Sequence, residues 1–91
     1  MPISELIPAF VETMPDTLEP GVLYISLKYE VAIHLCACGW CGQKTVTPFD
    51  ARYGWVLTQK DSLVTLSPSI GNFQMPCRSH YWIRDNQVVW V

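Results

Sequence analysis

The 91-residue chain reads as mainly β: a small single domain of six to seven short antiparallel or mixed strands stapled by a structural zinc ion. Two observations predict this class. Short stretches alternate apolar and polar residues and are separated by turn formers, which is the pattern of half-buried strands. Four cysteines stand in a chain too short to bury more than about 60–65% of its unfolded surface, so a covalent or metal staple is expected.

The elements follow in order. Residues 1–20 read as an extended amino-terminal arm, because Pro8, Pro15 and Pro20 remove backbone donors and spoil any long helix. From Gly21 a period-2 stretch sets Leu23, Ile25 and Leu27 against Val22, Tyr24 and Ser26. After a turn near Lys28 and Tyr29, Val31, Ile33 and Leu35 alternate with Ala32 and His34 in a second strand that runs into the cysteines. KTVTP is a short strand stopped by Pro48. GWVLTQ and SLVTL form a hairpin joined at Lys60-Asp61. Ser67 to Pro76, punctuated by Pro68, Gly71 and Pro76, reads as a long loop. SHYWI and QVVWV close the chain as a hairpin across Asp85-Asn86, residue types that tolerate left-handed backbone.

Composition narrows the function classes. Hydrophobic residues make up 49% of the chain and charged residues 15%, so disorder is not expected. The net charge of −2 and the lack of a basic stretch argue against nucleic acid, whose phosphates are held by Lys and Arg. Apolar runs fall far short of the ~20 residues that span a bilayer, so no membrane segment is expected. The start, MPISE, lacks a basic region followed by an apolar stretch, which places the chain in the cytoplasm.

Cys36, Cys38 and Cys41 form C-x-C-G-x-C-G, and Cys77 follows Pro76 far downstream. A glycine-containing turn can aim several thiolates at one point while its N–H groups face the sulfurs. In a reducing compartment such spacing favours metal over disulfides, and a Cys36–Cys38 bridge would be strained. Four thiolates close a tetrahedral shell, so the expected zinc is structural; His34 is a fifth candidate ligand.

A second constellation lies in SPSIGN and His80. A serine nucleophile needs a base within hydrogen-bond reach and donors for the developing oxyanion. Ser79 and His80 are neighbours on a strand and point to opposite faces, so Ser79 is a poor partner for the ring. Ser69 is the favoured nucleophile, with Asn72 as the oxyanion donor. The residue that would orient the imidazole is not fixed by spacing, and Glu12, Glu30 and Asp50 are all candidates. Trp55, Trp82 and Trp90 suit core or edge packing, whereas Trp40, inside the cysteine turn, suits a solvent-facing partner surface.

The stretches FVETMPDTLEPGVLYIS, HLCACGWCGQKTVTP, LSPSIGN and CRSHYWI resemble a bacterial family catalogued as a domain of unknown function and encoded beside ubiquitin-like conjugation genes. The similarity runs from about Pro8 to Trp90. Members typically carry a tighter cysteine cluster, so Trp40 is a departure. The resemblance implies a zinc-stabilised serine peptidase that processes the carboxyl-terminal tail or the conjugates of a ubiquitin-like protein. Carried over by position, Ser69 is nucleophile, His80 general base and Glu12 the orienting acid. The competing readings are a non-catalytic zinc-knuckle module that binds proteins of the same pathway, and a zinc hydrolase, which would need one cysteine outside the metal shell.

Overall fold

The structure is a computed structural model that describes residues 2–91. Eight strands form two four-stranded sheets and no helix is present among the described residues, so none is long or apolar enough to cross a membrane. The first sheet runs β1 (Ile7–Phe10), β2 (Val22–Ser26), β3 (Val31–Leu35), β4 (Lys44–Pro48). The second runs β5 (Val56–Lys60), β6 (Leu63–Asn72), β7 (Ser79–Arg84), β8 (Gln87–Trp90). All neighbours are antiparallel except β1 and β2.

The amino-terminal stretch is extended but seated in the fold. Ile7–Phe10 pairs with Val22–Ile25, and Leu6 is wholly buried. Pro8 is tolerated there because β1 has a strand partner on one side only, where a missing donor costs little. The following residues cover the outside of β2: Ser26 Oγ donates to the Glu12 carbonyl at 3.1 Å and Glu19 N–H donates to Tyr24 Oη at 3.0 Å. That cover explains why β2, read as an alternating strand, is buried on both faces from Leu23 to Ser26.

The core lies between the sheets, where Leu23, Ile25 and Ala32 meet Val64, Leu66, Ile70, Tyr81 and Ile83. Both seams are bridged. Glu5 pairs with Gln87 and Val88 N–H donates to the Ser4 carbonyl, while Phe49 pairs with Trp55. These contacts occupy sheet edges that would otherwise present unpaired donors and acceptors.

Two connections differ from the sequence reading. The β5–β6 turn falls on Asp61-Ser62, since Lys60 already pairs with Leu63; Asp61 takes the left-handed conformation at φ 58°. More consequentially, Ser67–Asn72 is not a loop but the second half of β6. Between Leu66 and Ile70 the register slips, with four residue steps on β6 facing two on β7. A bulge tolerates Pro68, whose lack of an N–H would break a regular ladder, and pairing resumes at Ile70↔Tyr81. The Asp85-Asn86 hairpin forms as expected, with φ of 49° and 68° at its two central residues.

Candidate functional site

The four cysteines converge. Their sulfurs all lie within 4.8 Å of one another, with Cys36–Cys77 at 3.5 Å and Cys41–Cys77 at 3.7 Å, and none is in a disulfide. Four thiolates bound at about 2.3 Å in a tetrahedron sit about 3.8 Å apart, so the cluster fits one ion and could hold it. Gly39 and Gly42 take φ of 80° and 67°, a conformation costly for other residues, and this folds the turn. The N–H groups of Trp40 and Cys41 then face Cys38 Sγ at 3.4 and 3.3 Å. Burial raises the Cys77 thiol, but hydrogen bonds with Ser79, Cys36 and Cys41 together outweigh it and bring the pKa to about 6. Burial pushes Cys41 up to about 12. The two shifts run in opposite directions, so of these two sulfurs Cys77 gives up its proton the more readily.

His34 stands outside this cluster. Its ring is wholly buried, Nε2 lies 2.7 Å from Tyr81 Oη, and Nδ1 has no partner. Burial lowers its pKa to about 4, which keeps the ring neutral.

Asn72 also has another place than expected. Beyond the bulge, alternation turns Ile70 and Asn72 inward and Ser69 and Gly71 outward. Asn72 Nδ2 lies 3.0 Å from Thr45 Oγ1, 3.3 Å from Cys36 Sγ and 3.5 Å from Tyr81 Oη. It therefore faces the sulfur cluster across the core, on the face of β6 opposite Ser69. Tyr81 completes the network by accepting from Ala37 N–H at 3.3 Å. Tyr81 and Thr45 lie within CRSHYWI and HLCACGWCGQKTVTP but are given no role by the sequence reading, although alternation through SHYWI puts Tyr81 on the same face as Ser79.

On the outer face, Ser69 Oγ lies 2.9 Å from His80 Nε2. His80 pairs with Gly71, and the bulge presents the Ser69 hydroxyl diagonally across from it. Ser79 turns inward and is buried, as alternation requires. None of the three acidic candidates hydrogen-bonds the His80 ring. Glu12 pairs with Lys28 at 3.0 Å on the exposed rim of the other sheet. Asp50 accepts from the N–H groups of Arg52 and Tyr53, which hold its carboxyl below the usual range. Glu30 sits in the β2–β3 turn at φ 55°. The neighbour that the imidazole does have is Phe73, edge-on with ring centroids 5.2 Å apart.

A cleft of about 540 Å³, lined by Glu5, Ile7, Phe10 and Asp61 among others, lies at the opposite end of β6 and β7 and holds neither the cysteines nor the Ser69–His80 pair. Trp40 is 65% exposed and, with Trp90 and Pro2, walls a groove of about 350 Å³ beside Cys38 and Cys77. Trp82 packs under the Arg84 guanidinium at 4.2 Å, and Trp55 lies against the core.

The family model for the bacterial ubiquitination-like system serine protease (BubE) matches residues 10–91. No curated protein and no solved structure matches significantly.

Proposed function

The chain belongs to this family of serine proteases of a bacterial ubiquitination-like system, and on that premise we propose that it cleaves the carboxyl-terminal tail or the conjugates of a ubiquitin-like protein in the cytoplasm. Ser69 is the nucleophile and His80 the general base. The observation that carries this is the 2.9 Å contact between Ser69 Oγ and His80 Nε2, the reach that proton transfer needs. The role assigns the ring tautomer: Nε2 accepts the serine proton and Nδ1 carries the other. Oγ attacks the scissile carbonyl, and His80 returns the proton to the leaving amine. Water then takes the acyl group off Ser69 with His80 again as base. With Asn72 turned inward, main-chain N–H groups that the bulge leaves outside the ladder are the donors for the oxyanion.

The four cysteines hold zinc in this reading, and the ion's part is structural. It ties the turn after β3 to the residues before β7, which carries His80. The proposed partners are the ubiquitin-like substrate and other proteins of its conjugation pathway.

Ser69→Ala and His80→Ala are expected to lower cleavage of a ubiquitin-like substrate roughly 10³-fold or more while keeping fold and metal content. A fluorophosphonate that acylates activated serines should label Ser69 and fail on His80→Ala. Full cleavage by either variant refutes the assignment. A protein-binding module is the second reading, favoured by the exposure of Trp40 in the cysteine turn. It requires Trp40→Ala to abolish partner binding and Ser69→Ala to leave the partner's processing unchanged.

A further inference from the structure

We propose that Phe73 is a positioning residue that holds the His80 imidazole toward Ser69, and that Gly71 is present to let it do so. For its catalytic meaning this rests on the peptidase reading; for its geometry it does not. His80 has no carboxylate on its ring, yet its Nε2 meets Ser69 Oγ at 2.9 Å, so something else must limit rotation of the side chain. The Phe73 ring stands against it at 5.2 Å and 67°, the edge-to-face arrangement that aromatic rings favour.

Phe73 is not in the core. It is 55% exposed and belongs to the turn that follows β6. A half-exposed phenylalanine would ordinarily sample several rotamers, and two local features restrain this one. Met75 N–H donates to the Asn72 carbonyl at 3.1 Å and Arg78 N–H to the Met75 carbonyl at 3.0 Å, which fixes the turn that carries Phe73. The ring then lies back over Gly71. A Cβ built there would stand 2.9 Å from Phe73 Cδ2 and 3.0 Å from Cζ, and nearer still to Cε2. Real Cβ atoms do not approach so closely, so any side chain at position 71 evicts the ring. Gly71 is also the strand partner of His80, so the missing Cβ, the phenyl ring and the imidazole form one stack on the outer face.

Gly71 lies in a strand and carries no left-handed backbone requirement. Gly71→Ala therefore removes the phenyl ring from His80 without touching either residue, and complements Phe73→Ala. The chain has two histidines, so the ring protons are readily resolved by NMR, and buried His34 is the internal control. In Phe73→Ala and Gly71→Ala, the His80 ring protons should lose the ring-current shift imposed by the phenyl group, while those of His34 stay in place. Phe73→Tyr should restore the shift. Turnover should fall roughly tenfold in both displaced variants with KM little changed, and recover in Phe73→Tyr, because a loosened base spends less time aligned.

His80 resonances that are the same in Phe73→Ala and the unsubstituted protein overturn the proposal, whatever the activity. So does unchanged turnover in both displaced variants. If the unsubstituted protein neither cleaves nor labels at Ser69 while the ring shifts behave as described, the peptidase reading fails and the Phe73–His80 contact stands.

Discussion

Replacing Asn72 with alanine tests the link between the sulfur cluster and the strand that carries Ser69. The side chain is buried, and its amide reaches Thr45 Oγ1, Cys36 Sγ and Tyr81 Oη. A hydrogen bond to a charged acceptor contributes about 1.5–3 kcal/mol and a neutral one about 1 kcal/mol. The variant should therefore lose about 3 kcal/mol of stability in the metal-loaded state, since Thr45 is buried and water cannot readily replace the lost donor. The thiolate share alone corresponds to a 10- to 100-fold weaker hold on the ion, the range typical when a group that hydrogen-bonds a metal ligand is removed. Competition for zinc with a chromophoric chelator measures the affinity, and urea unfolding at buffered zinc measures the stability. Zinc affinity within twofold of the unsubstituted protein, together with cleavage reduced as severely as in Ser69→Ala, would refute this placement. Asn72 would then be acting on the reaction directly.

Other perturbations separate the remaining parts. Cys77→Ser should abolish tight zinc binding and cooperative unfolding, because it removes the one ligand contributed from outside the C-x-C-G-x-C turn; a strong chelator should do the same to the unsubstituted protein, read by near-ultraviolet circular dichroism. The pKa of His34 lies at about 4 in the fold against about 6.5 unfolded, so the neutral ring favours folding above pH 6.5 and this contribution is lost as the pH falls toward 4. Between pH 7 and pH 5 it amounts to roughly 2 kcal/mol, a component of the urea-unfolding free energy that His34→Gln should lack. Asn86→Ala should cost about 2–3 kcal/mol: its side chain accepts from Val64 N–H at 2.8 Å and donates to the Ser62 carbonyl at 3.1 Å, and its φ is 68°. Asn86→Gly should cost less than Asn86→Ala by the conformational part, as compared by thermal unfolding.

Much of the fold and part of the site were legible in the residues. The alternation of Val31–Leu35 and Ser79–Arg84, the Asp85-Asn86 turn and the clustering potential of Cys36, Cys38, Cys41 and Cys77 are local properties. Side-chain period, turn chemistry and thiolate spacing act over a few residues, so a linear reading reaches them. The exclusion of Ser79 as a partner of His80 follows from the same alternation, applied to a strand with no irregularity.

Tertiary pairing decided the rest. Pro68 and Gly71 argue locally for a loop, yet β7 supplies a strand for Ile70–Asn72 to pair with, and a bulge absorbs the mismatch. Alternation holds along β6 on both sides of the bulge, with Val64, Leu66, Ile70 and Asn72 all turned inward, but it applies only once Ser67–Asn72 is known to be strand, and that pairing is what sets Asn72 against Cys36 while Ser69 meets His80. Residue type left Glu12, Glu30 and Asp50 equally open and the resemblance singled out Glu12, which the fold sets beside Lys28. Local chemistry thus set which groups the chain carries, and the pairing of distant strands set which of them touch, because hydrogen-bond ladders between remote segments fix register and no short stretch of sequence contains its own partner.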